Sequence, residues 1–223
     1  MATALRQYVW DFPTRAFHWL LVALLGFSWW SAEADHMDWH QLSGLAVCGL
    51  LIFRILWGLF GTGTARFTQF VKGPRAIWSY LRPGEGAPRR VPIGHNPLGG
   101  WSVVALLLVL ATQIVSGLFA VDVDGIESGP LSWLVDFDQG RLAAAIHHTS
   151  FTAVKVLVVL HVAAILFYLL VRRRNLIWPM IVGTQPISDG ETGIVARVAL
   201  WRLAVAIVLA VAAAWWIAGG ARL

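Results

Sequence analysis

Five long apolar segments constrain this chain more than any other feature of its sequence. A helix needs about 20 mostly apolar residues to cross the hydrocarbon core of a bilayer, and five segments approach or exceed that length. They are residues 16–33, 40–60, 97–121, 142–171 and 197–219. Open sheet edges are not tolerated in lipid, because their backbone groups would lack hydrogen-bonding partners. The segments therefore predict an all-α integral membrane fold.

The composition supports a membrane location. Of the 223 residues, 58% are hydrophobic and only 13% are charged, which is outside the range of ordinary soluble proteins. Tryptophans cluster beside the apolar segments, where aromatic side chains mark membrane surfaces: Trp10, Trp29, Trp30, Trp39, Trp101, Trp133, Trp178, Trp215 and Trp216. The net charge of +5 does not indicate nucleic-acid binding, because the basic residues concentrate in loops on one side.

The distribution of charge between loops predicts the orientation. One group of connections is basic and is expected on the cytoplasmic side: Arg66, Lys72, Arg75, Arg82, Arg89, Arg90, Arg172, Arg173 and Arg174. The opposite connections are acidic: Glu33, Asp35, Asp38, Asp122, Asp124, Glu127, Asp136 and Asp138. We predict a multi-pass membrane protein with a cytoplasmic N-terminus, a C-terminus on the opposite side of the membrane and a retained first helix. The stretch from Lys72 to Arg90 is expected to touch anionic lipid.

Four histidines in or beside these segments form the candidate site. His147 and His161 lie fourteen residues apart, so on a helix they share a face and are separated by roughly 21 Å along the axis. One helix thus offers two imidazoles at two depths, as two stacked haems would require. By depth, His147 is level with His40, and His161 is level with His18. The pattern predicts two bis-histidine sites.

Alternatives were weighed for these residues. A single histidine at a helix end is often only an interfacial or core side chain. A zinc site at His36 and His40, with Asp35 and Asp38 nearby, would leave the other pair unexplained. Because Cys48 is the single cysteine, covalent c-type attachment and a cysteine-ligated iron–sulfur cluster are excluded, and any haem is held noncovalently.

Several motifs resemble the prokaryotic cytochrome b561 family, which includes the cytochrome b subunits of nickel–iron hydrogenases. The resemblance covers about residues 8–185. It rests on Val9-Trp10-Asp11-Phe12-Pro13-Thr14-Arg15-Ala16-Phe17-His18-Trp19, on His40-Gln41-Leu42-Ser43-Gly44 leading to Phe53-Arg54-Ile55-Leu56-Trp57-Gly58, on Gly94-His95-Asn96-Pro97-Leu98-Gly99, on Ile146-His147 to His161, and on Asn175-Leu176-Ile177-Trp178-Pro179-Met180-Ile181-Val182-Gly183.

The resemblance implies a transmembrane four-helix haem-binding bundle, to which this chain adds a fifth transmembrane helix. It also implies two haem b groups with His18, His40, His147 and His161 as axial ligands. We expect a di-haem domain over residues 1–185 and the additional helix over 186–223. Such proteins move electrons between quinone and a redox partner. For this chain the resemblance implies a location in the bacterial inner membrane with a periplasmic C-terminus, and a periplasmic c-type cytochrome, a hydrogenase or another dehydrogenase as the partner.

Other residues have competing interpretations. Arg54 follows His40 by fourteen residues on the same face and is expected to pair with a haem propionate, although it could simply snorkel. Gly44 would leave room for a porphyrin or allow close helix packing. Lys155 could tune a haem or turn toward Gln113 or Ser116.

A quinone or proton-handling site is a further candidate. His95, in the turn before the third apolar segment, could serve it together with Asp11 and Arg15, and a plain loop role for His95 is an equal alternative.

Two other functions remain open from the sequence. One is a stand-alone superoxide:quinone oxidoreductase, and the other is a haem-free transporter or assembly anchor whose histidines relay protons. Nucleotide-driven work is unsupported, because the chain has no Walker loop or dinucleotide fingerprint.

Overall fold

The computed structural model describes residues 6–82, 94–124, 127–186 and 198–222. Arg89 and Arg90 of the predicted cytoplasmic loop, and residue 197 at the predicted start of the last segment, lie outside this part of the chain.

The described chain is mainly helical. Its helices are α1 (Phe12–Glu33), α2 (Met37–Phe60), α3 (Phe67–Phe70), α4 (Pro74–Leu81), α5 (Pro97–Phe119), α6 (Phe137–Leu170), α7 (Ile177–Val182) and α8 (Leu200–Ala218). Two 3₁₀ turns cover Gly63–Ala65 and Ser132–Leu134. Strands β1 (Arg6–Tyr8) and β2 (Thr184–Pro186) pair antiparallel, with Gln7 opposite Gln185. This small ladder joins the start of α1 to the end of α7.

Two helices begin earlier in the sequence than predicted, and capping residues explain both starts. Helix α1 begins at Phe12 because the side chain of Asp11 accepts a hydrogen bond from the backbone amide of Thr14 at 2.8 Å. Helix α6 begins at Phe137 because Asp136 and Gln139 form a capping box. Both helices therefore extend by about one turn beyond their apolar segments.

Four helices of the described chain are long and apolar enough to cross a membrane, namely α2, α5, α6 and α8. Helix α1 has 22 residues, or about 33 Å, but its composition does not place it in this group. It carries Arg15, His18 and Glu33, which lower its mean hydropathy. The all-α membrane fold is confirmed, whereas a fifth span is not confirmed and remains a prediction for α1.

The long helices pack in pairs. Helix α1 lies along α2, and α5 lies along α6. Helix α8 packs on α2 at Gly49, where an added Cβ would lie 3.3 Å from the Cβ of Ala214. Since Gly49 follows His40 by nine residues, this contact is on the opposite side of α2 from His40. The role of α8 was open from the sequence, and its described contacts make it a packing element behind α2.

Candidate haem site

The structure brings the four predicted histidines together in two pairs. His40 of α2 and His147 of α6 have ring centroids 6.0 Å apart and planes at 90°. His18 of α1 and His161 of α6 have centroids 6.4 Å apart and planes at 51°. One helix therefore contributes an imidazole to each pair, and α1 and α2 supply the partners.

Both spacings fit a metal ion held between two imidazoles. A metal–imidazole bond is about 2 Å long, and the nitrogen lies roughly 1 Å from its ring centroid. Two rings on opposite sides of one iron therefore have centroids roughly 6 Å apart. The distances of 6.0 and 6.4 Å agree with this value, so each pair could ligate a haem iron.

Hydrogen bonds orient the rings of the His40–His147 pair. The Nδ1 atom of His40 lies 2.9 Å from the carbonyl oxygen of Ser28, and Nδ1 of His147 lies 2.8 Å from that of Gln113. With a proton on Nδ1, each ring donates to its carbonyl and keeps the Nε2 lone pair for a metal. The backbones of α1 and α5 thus select the tautomer that ligation needs.

Gln113 also approaches the other nitrogen of His147. Its Nε2 atom lies 3.0 Å from Nε2 of His147, and its Oε1 accepts a hydrogen bond from the hydroxyl of Ser150. Iron binding at Nε2 of His147 would require this amide to turn away. Ser28, Gln113 and Ser150 were not recognised as site residues from the sequence, although a glutamine inside an apolar helix is an available signal.

Two glycines leave space beside the His40–His147 pair. A Cβ at Gly117 of α5 would lie 2.7 Å from Cε1 of His147, so the imidazole occupies the space that a side chain at position 117 would need. Gly117 was not among the predicted site residues. An added Cβ at Gly44 would have no atom within 4 Å, so this glycine does not pack closely against another helix of the described chain, and room for a porphyrin is the better of its two interpretations.

The His18–His161 pair has fewer polar partners in the described chain. Nδ1 of His18 is buried without a hydrogen-bond partner there, and the ring lies 4.9 Å from that of Trp19. A buried imidazole nitrogen without a partner is costly, so a ligand that engages this ring would relieve part of the cost.

Arg54 is a buried cation close to these elements. It is 3% exposed, its Nη1 donates to the carbonyl of Ala65 at 3.2 Å, and its guanidinium faces the rings of Phe67 and Phe70. These contacts are uncharged. The carboxylate of Asp11 is close enough to interact with Arg54 electrostatically, but it already accepts hydrogen bonds from Trp57 and Thr62. Because a buried charge is stable only when it is well compensated, the arrangement favours an anionic ligand beside Arg54.

His95 lies between aromatic rings near Arg54. Its ring centroid is 4.6 Å from that of Trp10 and 4.6 Å from that of Phe70, and its Nδ1 is buried without a partner in the described chain. Burial, followed by the nearby charges of Arg54 and His161, lowers the pKa of His95 to about 3. The imidazole is therefore neutral at physiological pH and could donate one hydrogen bond and accept another.

Asp11 and Arg15, the other two candidates for a quinone site, have structural partners. Besides capping α1, Asp11 accepts hydrogen bonds from the indole of Trp57 at 2.9 Å and from the hydroxyl of Thr62. Arg15 donates to the carbonyl of Ile181, which fastens α1 to α7. These contacts hold the ends of three helices together.

Replacing Asp11 by alanine should therefore lower stability. It removes a helix cap and leaves the Trp57 and Thr62 donors without their acceptor, a loss of about 2 to 4 kcal/mol. Thermal unfolding in mild detergent should show a lower midpoint than for Asp124→Ala, a change at an exposed loop position. Unchanged unfolding combined with impaired quinol oxidation would instead assign Asp11 to quinone binding.

Lys155 and the candidate zinc residues lie elsewhere. The ammonium of Lys155 is 4.9 Å from the ring of Phe151 and 5.9 Å from that of Trp29, so it does not turn toward Gln113 or Ser116. His36 packs beside Trp39, with ring centroids 5.4 Å apart. Among the described residues no group of three or more His, Cys, Asp and Glu side chains is placed to bind a metal, so the zinc alternative has no support.

A helical membrane bundle with two imidazole pairs at this spacing is the arrangement expected of a membrane-bound b-type cytochrome. Comparison with known families matches residues 9–183 to the family described as prokaryotic cytochrome b561. The chain belongs to the prokaryotic cytochrome b561 family. Neither the curated proteins nor the solved structures contain a match.

Membership of this family confirms several predictions. The chain is a multi-pass membrane protein with a b-type haem electron-transfer role. The haem-free transporter or anchor therefore loses its support. Helix α8 lies beyond the matched residues, and the division into domains at 185 and 186 remains a prediction.

Proposed function

We propose that this chain passes electrons across the membrane through two b-type haems, one between His40 and His147 and one between His18 and His161. The observation that carries the proposal is the placement of two imidazole pairs, each at the spacing of axial ligands, along one helix. Bound haem supplies the one-electron redox chemistry, and the chain fixes its position and environment. Two histidines would hold each haem iron and leave it no free position for oxygen, which favours electron transfer over oxygen chemistry.

Arg54 supports the haem proposed between His18 and His161. It lies within two turns of the end of α2, near His95, whose neighbouring charges include His161. A haem propionate is a carboxylate that suits the guanidinium and would compensate its buried charge. Arg54 therefore positions the haem of the His18–His161 pair through that carboxylate.

Quinone is the proposed electron-exchanging partner on the same side. His95 is the better of the three sequence candidates, because Asp11 and Arg15 already join helices. Its neutral imidazole has a buried nitrogen available for a quinone oxygen. Since its pKa is lowered to about 3, His95 would act as a hydrogen-bonding group and not as a resident proton carrier at neutral pH.

A periplasmic redox protein is the proposed partner at the opposite surface. Basic loops set the His18–His161 end on the cytoplasmic side, so the His40–His147 pair faces the periplasm. Acidic residues surround that end, including Asp38 at the start of α2 and Asp138 at the start of α6. Complementary charge would steer a c-type cytochrome, a hydrogenase or another dehydrogenase with a basic patch to it.

Optical spectroscopy of the purified protein tests the proposal. Pyridine haemochrome assay should give two haem b per chain, and a quinol analogue should reduce both. One haem per chain, or none, would contradict the two-site arrangement. Reduction by superoxide without any partner protein, with quinone as acceptor, would instead show that the protein acts as a stand-alone oxidoreductase.

A further inference from the structure

We propose that the ends of α4 and α6 form a binding site for the phosphate headgroup of an anionic phospholipid. The site is built from Tyr80 of α4, Tyr168 of α6 and the arginines Arg172 and Arg174 that follow α6. It is separate from both histidine pairs and does not depend on the proposed electron route.

A hydrogen-bonded cluster forms the centre of this site. The hydroxyl oxygens of Tyr80 and Tyr168 are 2.7 Å apart, and Nδ2 of Asn96 donates to them at 3.1 and 2.8 Å. Oδ1 of Asn96 accepts from the amide of Gly99 at 2.7 Å, so the side-chain amide is fully used. One of the two tyrosine hydroxyl hydrogens forms the hydrogen bond between the tyrosines. The other has no acceptor in the described chain and can donate to a ligand.

The hydroxyl of Tyr80 stays protonated at physiological pH. Burial, followed by the hydrogen bond with Tyr168, raises the pKa of Tyr80 to about 12. The cluster therefore remains a hydrogen-bond donor and suits a ligand with strong acceptor atoms. Phosphate oxygens are such acceptors.

The backbone after α6 brings two arginines to this donor. Arg173 has a φ of 52°, a left-handed conformation that is unfavourable for a residue with a Cβ. It turns the chain so that the amide of Arg174 donates to the carbonyl of Tyr168 at 2.8 Å. Arg172 and Arg174 lie close enough to Tyr80 to oppose the rise in its pKa. The strained turn therefore places Arg172 and Arg174 beside a hydroxyl that is free to donate, and such an arrangement suits an anionic ligand.

The position of α4 indicates that the anion belongs to a lipid. Its Trp78 and Leu81 side chains are 59% and 56% exposed, and Tyr80 bonds to Asn96, which caps the start of the membrane-spanning helix α5. Such an amphipathic helix lies in the membrane interface with its apolar side chains in lipid. The cluster is then at headgroup depth, and its positive charge favours an anionic phospholipid over a neutral quinone.

Native mass spectrometry and thermal unfolding with added phosphatidylglycerol or phosphatidylcholine test this site. Wild type should retain phosphatidylglycerol and be stabilised by it, and each arginine lost should weaken binding roughly fivefold. The variants are Arg172→Gln with Arg174→Gln, and Tyr80→Phe with Tyr168→Phe. Arg222→Gln is the matched control and should bind like wild type, because this exposed arginine lies beside Trp133, at the other end of α6 from Tyr168.

Three results would overturn the proposal. They are equal phosphatidylglycerol binding by wild type and the double arginine variant, equal stabilisation by phosphatidylcholine, and displacement of the bound lipid by a neutral quinone analogue. The haem spectrum of every variant reports folding, so a lipid defect with intact haem content supports the site.

Discussion

Replacing His147 by alanine should remove one of the two proposed haems and leave the other in place. The imidazole pairs are separate, and each shares only helix α6 with the other. Loss of one axial ligand therefore affects one iron. His40→Ala should reproduce the spectrum of His147→Ala, whereas His18→Ala and His161→Ala should share a different spectrum. Pyridine haemochrome quantification with reduced-minus-oxidised spectra would measure this.

His148→Ala is the matched control, because this exposed neighbour of His147 points about 100° away from it on the helix. It should keep both haems. If His147→Ala and His161→Ala lost the same haem, or if neither lost any, the pairing of ligands by depth would be wrong. Such a result would leave the family assignment intact and require other ligands in this chain.

Enlarging Gly117 should have nearly as large an effect. Its Cβ position lies 2.7 Å from Cε1 of His147, and backbone atoms of α5 cannot yield, so the imidazole must move. The ring would then lose its hydrogen bond to the carbonyl of Gln113 and its alignment with His40. We expect Gly117→Val to lose most of the haem that His147→Ala loses, with Gly117→Ala intermediate.

Gly99→Ala, near the start of the same helix, serves as the control for α5. A Cβ there would lie 3.3 Å from Oδ1 of Asn96, a contact that a small adjustment can accommodate. Spectra and haem content together distinguish the two positions. Full haem content in Gly117→Val would show that the imidazole of His147 does not depend on this gap.

The helical repeat made much of the arrangement predictable. A spacing of fourteen residues places His147 and His161 on one face, and the alternation of basic and acidic loops gives their levels relative to His18 and His40. The structure brings these residues together in the expected pairs. Their role as axial ligands remains a prediction.

Other parts of the site could not be read from the sequence. The carbonyl oxygens of Ser28 and Gln113 orient two imidazoles, but a backbone acceptor has no residue-specific signal. Gly117 resembles any packing glycine of a membrane helix until the position of His147 is known. Arg15 reaches the carbonyl of Ile181, a partner 166 residues away that no local pattern identifies.

Helix α6 runs without interruption for 34 residues, so one rigid element carries a member of each imidazole pair. The distance between them along the helix axis, roughly 21 Å, is set by covalent geometry and helix pitch and not by movements of one helix relative to another. Electron tunnelling depends steeply on distance. If the two sites shared no helix, the rate of electron transfer between them would fluctuate as the helices moved. In the proposed two-haem arrangement, one helix would fix the distance between the two sites, and thermal movement of α1 or α2 would change ligand geometry without changing the spacing along α6.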